Sequence, residues 1–597
     1  MEIEHKMSEE KKVSRRKYVK YAAAGVVVVA GAAAGAYYAT KPSPTPSPTP
    51  SPTPSPKPSP TPTSSPTPTK PTETVVDPYI QAAHEMADWI GEDTVLSREQ
   101  LIEELEFFAR ASKPYRGQTI HVMYEALPPA AWEEEVLGPW FEKITGITIK
   151  WESMSNFETV VKSQEDAKLK AGIYDVIGSD QDMMGFYAYH ESTLDLTEFM
   201  QKNPQLVNPY FDLEDYYAYR TYTSYKTGHL IALLSMNAPT GTLYRKDWIT
   251  DPKNKEEFKK RYGYEMKTPW EFWREAQKSG KAEDDWTVQK AIDYMEFFTR
   301  PDEDMWGTLS YVKPGDHMAW LVDAQFSRIF QLASPAPEGK WPIECPYFTP
   351  HTTCWGINID ENNVVHGASM KNGGVLDSPT GQRLYEHFLY EMPKYAPKKS
   401  YEVDCVEAHS AWAIDGKYAL FYPYFCWFAG VLNGPDSKVK GKYEIGPLPI
   451  DPESFVDYPK KKYPRGYIDP SGWCISAYTK VPEASWLFSA FMSSKAVELK
   501  KMLIHGAPIR MSTITNPKFG AMDEELGGLV TLMREEMKEQ TGTDAREAFY
   551  PELLSFIADK TSQLFQQRKS GAEIAKELAT AIDEWLKENG WMGKSLL

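Results

Sequence analysis

Between Gln118 and Gly178 the spacing of the apolar residues switches back and forth between two periods, and that alternation restricts the fold more than any other feature of the chain. Gln118–Glu125 (QTIHVMYE) reads as a buried first strand. Pro129–Thr145 sets Trp132, Val136, Trp140 and Phe141 at helical spacing, and Ile147–Glu152 reads as a second strand. A further helix over Phe157–Ala171 leads into Asp175, Val176, Ile177 and Gly178, a third short buried strand. Parallel strands need a crossover of about a dozen residues or more, usually a helix, so this is a β-α-β unit. The class is α/β, in which ligands gather at the carboxyl ends of the strands.

A second set of α/β signals runs from Leu243 through the 430s, and the C-terminal part reads mostly as helix, Ile574–Leu586 included. At 597 residues the chain can build more than one core, and two lobes are the economical reading. Asp77–Ala111, with Leu101, Leu105 and Phe108 on one side, reads as helices that precede the main fold. No repeat of solenoid length is present.

The N-terminus is a targeting segment. Ser14–Lys20 reads S-R-R-K-Y-V-K, similar to a twin-arginine export signal with Tyr where Phe is usual, and an apolar run of bilayer-spanning length follows from Tyr21 to Ala39. The basic residues before that run stay inside the cell. Tyr37 and Tyr38 spoil a small-residue cleavage site, so an uncleaved anchor is the first reading and a cleaved signal peptide the second. From Lys41 to about Thr74 the chain repeats Pro-Ser-Pro-Thr, which lacks the donors for helix or sheet and the apolar surface for a core. At roughly 3.1 Å per residue in polyproline II geometry it is a stalk on the order of 100 Å long. The remainder is expected to work outside the cell.

With 66 basic against 83 acidic residues and a formal charge of -17, the chain has no broad electrostatic footprint for nucleic acid. Its 18 Trp and 35 Tyr suit sugar handling as well as the filling of a large core. Cys345, Cys354, Cys405, Cys426 and Cys474 are too dispersed for a zinc ribbon or a CxxC pair. Cys345 and Cys354 can close a small loop in an oxidising exterior, and the odd total leaves at least one thiol over. There is no GxGxxG, P-loop, GxSxG or HExxH, and the 11 His are scattered without metal-ligand spacing, so neither metal nor cofactor is expected. Carboxylates are abundant, but no pair at a defined separation can be read from them.

Four segments stand in an order that resembles family 1 extracellular solute-binding proteins of ABC importers, the maltose-binding type. They are Tyr174–Met200 (YDVIGSDQDMMGFYAYHESTLDLTEFM), Gly228–Asp247 (GHLIALLSMNAPTGTLYRKD), Asp377–Phe428 with DSPTGQRLYEHF and AWAIDGKYAL, and Tyr443–Pro449 followed by Ser471–Arg510 with SGWCIS, EASWLFSAFMSS and GAPIR. Leu234 replaces the family's usual Pro and Arg245 its usual Asn. The resemblance runs from about Gln118 to the C-terminus; residues 282–374 match poorly and look like an enlargement of one lobe. It implies a two-lobed, type II periplasmic-binding-protein-like fold with the ligand cleft between lobes and three interlobe crossings, near Asn237, Gly472 and Arg510. On this reading 1–40 is signal or anchor, 41–75 stalk and 76–117 preceding helices. Residues 118–236 and 472–509 then make lobe 1, and 237–471 and 510–597 lobe 2.

The resemblance also implies a site. Asp180, Gln181 and Asp182 follow the third strand and can accept hydrogen bonds from sugar hydroxyls, although Asp180 also suits a helix cap. Asn237 lies at the first crossing, or is a turn residue before Pro239. Tyr424 and Trp427 are the expected aromatic platforms, Trp473 is expected to face the cleft, and Arg510 to reach ligand or hinge unless a salt bridge within one lobe takes it. The function implied is capture of an oligosaccharide or polyol by a monomer at the outer face of the membrane, and its delivery to permease subunits powered by a separate ATPase. A cell-surface enzyme acting on polysaccharide and a peptide-binding ABC receptor are the alternatives.

Overall fold

The computed structural model describes residues 77–314, 327–344, 351–422, 429–458, 460–468, 470–541 and 547–597. The expected anchor and stalk lie outside them, as do Cys345 of the proposed loop closure and both Tyr424 and Trp427. Among the described residues no helix is long and apolar enough to cross a membrane. The chain forms two compact units, Met1–Gln81 and Ala82–Leu597. Of the first, the described residues open a helix at Pro78; everything below concerns the second.

Thirteen strands occur among the described residues: β1 (Thr119–Glu125), β2 (Thr148–Met154), β3 (Val176–Asp180), β4 (Ala232–Met236), β5 (Thr242–Arg245), β6 (Trp306–Thr308), β7 (His351–Thr352), β8 (Asn358–Ile359), β9 (Tyr418–Phe421), β10 (Tyr443–Gly446), β11 (Gly466–Tyr467), β12 (Ser471–Ile475) and β13 (Gln540–Thr541). The first sheet has the order β2-β1-β3-β12-β4, with β1 parallel to both neighbours and β12 antiparallel to both of its own. The second has the order β10-β5-β9-β6. Two mixed sheets with helices about them make the α/β architecture that the alternating pattern predicts.

The helix expected over 129–145 is broken by one π turn at Glu133–Leu137, in which the Gly138 N–H reaches back to the Glu133 carbonyl. Pro139 has no N–H to give to residue 135, so the wider turn takes up the lost bond. The turn leaves Glu133 buried, where Lys501 Nζ donates to its carboxylate and to the Ser235 carbonyl. The third strand runs on to Asp180, two residues beyond the expected Gly178, because β12 pairs with it as far as Ser471↔Asp180.

The chain passes between the two main sheets three times, through 237–241, 447–470 and 506–528. These segments lie side by side. The Asn237 N–H donates to Ala507 O at 3.2 Å, the Thr240 N–H donates to Tyr467 O at 3.0 Å, and Pro239 bridges Ile468. The first crossing is therefore stitched to both others. Gly472 itself sits inside β12, past the crossing it was expected to mark. A Cβ there would stand 2.6 Å from the Tyr222 ring and 2.8 Å from the Leu233 carbonyl, so close packing demands glycine at this position.

Candidate functional site

The carboxyl ends of the central strands carry the polar cluster. Glu125 ends β1, Asp180 ends β3, and Ser471 opens β12 directly opposite Asp180. Asn156 is the first residue of the helix Asn156–Leu169, held in place because Ser155 and Glu158 cap that helix reciprocally. From there its Nδ2 donates to Glu125 Oε2 at 3.1 Å and to Asp180 Oδ2 at 2.9 Å. Ser471 Oγ donates to Asp180 Oδ1. Asn156 thereby bridges the two carboxyls, and the charge of either one disfavours ionisation of the other. Burial raises the pKa of Asp180, while burial and then the Asp180 charge raise Glu125 and push Asp182 up to about 8.

Between the two aspartates, Gln181 is fully buried and its Nε2 donates to the Tyr467 hydroxyl, joining the strand end to the second crossing. Its Oε1 has no partner, and neither has Asp182 Oδ1. The structure thus brings Asp180, Gln181 and Asp182 together and adds Glu125, Asn156, Ser471 and Tyr467, which the sequence reading missed. Glu125 was visible as an acid closing an otherwise apolar strand, a signal the reading passed over.

Asn237 is also fully buried; its Nδ2 donates to the Pro508 carbonyl at 2.8 Å and ties the first crossing to the third, while its Oδ1 has no hydrogen-bond partner. Trp473 is corrected more sharply. At 1% exposure its indole packs against Phe488 and Trp151, with centroids 5.3 Å and 6.3 Å away, and has no face left for a ligand. Arg510, also at 1%, is fully engaged: it lies 3.8 Å over the Tyr216 ring, donates to the Ser493 carbonyl and pairs with Asp215 at 3.2 Å. The pair with Asp215 holds Arg510 where the third crossing begins.

Across from the strand ends, the helix Tyr550–Gln566 packs against the 181–183 turn. Just before it stands Glu547, 3% exposed, with no hydrogen bond to Oε1 and His351 Nε2 at 3.9 Å from that oxygen. Trp355 stacks on Tyr550 at 4.6 Å and 7°. A concavity of about 510 Å³ lies elsewhere, lined by Glu103, Phe107, Arg110, Tyr115 and Pro209 among others, and touches none of these residues. Asp195, Glu198 and His229 bring three potential metal-ligand atoms within 4.8 Å, but Asp195 caps a helix and pairs with His229 at 2.7 Å while Glu198 holds Lys202 at 2.6 Å.

Solved structures share this fold. A ribitol-bound ABC transporter solute-binding protein from Agrobacterium radiobacter K84 aligns with a TM-score of 0.56 at 17% identity, covering 79% of this chain and 99% of that one. The fold is that of the ABC solute-binding proteins. Maltose-bound MalE3 of T. maritima matches the solute-binding fold here at TM-score 0.56 and 15% identity, with 79% of this chain and all of the other (100%) covered. An ABC substrate-binding protein from Listeria monocytogenes in complex with cycloalternan gives 0.55 at 13%, over 79% and 99%. No family model matches the chain. No curated protein matches it either.

Proposed function

We propose that this chain is the extracellular substrate-binding protein of an ABC importer, capturing an oligosaccharide or related polyol between two lobes and handing it to membrane permease subunits driven by a separate ATPase. The observation that carries the reading is the set of three crossings, hydrogen-bonded side by side, beneath a polar cluster at the strand ends. Three stitched strands of backbone restrict motion to one bend, and a ligand gripped by both lobes favours the closed form by its differential affinity. Asp180, Asp182 and Glu125 offer acceptors for hydroxyls, and Tyr424 and Trp427 are proposed as the aromatic platforms. Asn237 and Arg510 belong to the crossings, and Trp473 packs against Gly178 of β3. The N-terminal segment is proposed to hold the protein at the outer face of the membrane by way of the stalk.

Small-angle scattering with and without a bound sugar or polyol tests this reading. The radius of gyration is expected to fall on binding, as in a hinge closure. A curve that stays the same at saturating ligand would sink the importer-receptor mechanism even with binding confirmed.

A further inference from the structure

Among the described residues, the strand-end site is rich in acceptors and has no cation in its hydrogen-bond shell. The donors that reach Glu125 and Asp180 are Asn156 and Ser471. Among the described residues, no Lys or Arg forms an ion pair with any of the three carboxyls. Two buried acceptors at this strand end, Asp182 Oδ1 and Oε1 of the fully buried Gln181, have no donor. Unpartnered buried acceptors are costly, and what they require is a donor.

A hydroxyl supplies one donor and asks for a donor in return, whereas an ammonium supplies three donors, accepts nothing and carries the charge that three clustered carboxyls lack. We propose that the site takes a polyhydroxylated ligand bearing a protonated amine, an amino sugar or aminopolyol, with its ammonium seated among Glu125, Asp180 and Asp182. This rests on the importer reading and narrows its ligand.

The proton inventory gives the proposal a distinct signature. Without a cation, burial and the neighbouring Asp180 charge hold the Glu125 carboxyl up and favour its protonated form. The arriving ammonium replaces that proton, and the proton leaves to solvent. Asp182, pushed up to about 8, shares in that exchange, whereas the Cys474 thiol beside Asp180 and the Tyr187 hydroxyl beside Asp182 are both pushed up by burial and neutral throughout. Neither the thiol nor the hydroxyl competes for the exchange at neutral pH. Affinity for the amine therefore rises with pH until the ligand's own amine deprotonates, while affinity for a neutral sugar has no such dependence.

The test is calorimetric titration of the full-length chain with the β-1,4-linked glucosamine disaccharide, with cellobiose as its neutral counterpart and with calcium chloride alone. Runs near neutral pH in two buffers of different ionisation enthalpy count the protons released. The glucosamine disaccharide is expected to bind at least about tenfold tighter than cellobiose, about 1.4 kcal/mol, with proton release that cellobiose does not cause. Glu125→Gln and Asp182→Asn are each expected to erase most of that preference without lowering the melting temperature, since each puts a neutral amide where burial penalises a charged carboxylate. Failure of the glucosamine disaccharide to bind, equal affinity for cellobiose, binding without proton release, or calcium competing away the preference would each overturn the proposal. Cellobiose binding with compaction and no preference would leave the importer reading intact, whereas binding of either sugar without compaction would sink that reading and not this one.

Discussion

Lys168 and Glu552 meet at 2.8 Å, the first from the helix that leaves β2 and the second from a helix packed on the 181–183 turn from the other lobe. Along the same rim the Tyr189 ring lies 5.4 Å from Trp591, with Lys594 5.0 Å and Lys226 5.1 Å from its centre. The lobes are fastened by an aromatic contact flanked by charges, and the C-terminal residues supply half of it. An exposed ion pair such as Lys168–Glu552 is worth no more than about 0.5 kcal/mol, so the aromatic contact dominates.

Trp591→Ala is accordingly expected to loosen closure: the ligand-free chain should show a larger radius of gyration, and ligand affinity should fall by about tenfold or less. A double-mutant cycle with Tyr189→Ala measures the coupling, expected at about 1 kcal/mol. Zero coupling with an unchanged scattering curve would mean that the rim contact is incidental.

Trp473→Ala separates core from platform. An indole at 1% exposure, wedged among Phe488, Trp151 and Gly178, leaves a large cavity when truncated, at a cost of about 3–5 kcal/mol. Chemical denaturation should report that loss, while the fraction that remains folded binds ligand normally. Weakened binding at undiminished stability would return Trp473 to the cleft.

These residues also mark what the sequence could tell. The strands and helices of 118–180 were legible because their apolar periods differ, and the long elements came out within a few residues. The π turn was not, since only the meeting of Glu133 with Lys501, 368 positions away, gives the wider turn its use. Trp473 misled because Gly-Trp at the start of a strand looks the same whether the ring turns into the lobe or out of it. What turns it inward is Gly178 on the neighbouring strand, whose missing side chain makes room for the ring. Glu125 and Asp180 are 55 residues apart in the chain and become a pair only because β1 and β3 are parallel neighbours.

The second lobe has its own buried charge. Arg465 grips Asp285 with two bonds, 2.8 Å and 2.6 Å, and both residues are at most 1% exposed. Arg465 lies one residue before β11, so the pair anchors the second crossing. Removing one partner strands the other's charge in the interior, and Asp285→Asn is expected to cost about 3–5 kcal/mol by denaturant titration. A loss below about 1 kcal/mol would show that Glu539, 3.9 Å from Arg465, takes over as the counterion.

The pH profile of stability follows from the carboxyls held up by burial. Asp182 and Glu536 are pushed up to about 8, Glu498 and Glu539 to about 7, with burial the first cause in each. A carboxyl with a folded pKa above its unfolded value binds more protons in the folded state. Its contribution is fully present below the ordinary carboxylate pKa and is lost as pH rises through the folded value. The melting temperature should therefore fall between about pH 5 and pH 8, by several degrees at roughly 2 °C per kcal/mol for a chain of this size. Asp215 and Asp93, held low by hydrogen bonds and cations that outweigh burial, act in the opposite sense and erode stability only in stronger acid. Replacing Asp182 by Asn and Glu536 by Gln in one chain should flatten the slope from pH 5 to pH 8 and leave the acid limb unchanged. A wild-type melting temperature that rises over this range would mean these carboxyls ionise freely, and the buried acidic cluster would then have to be read as solvated.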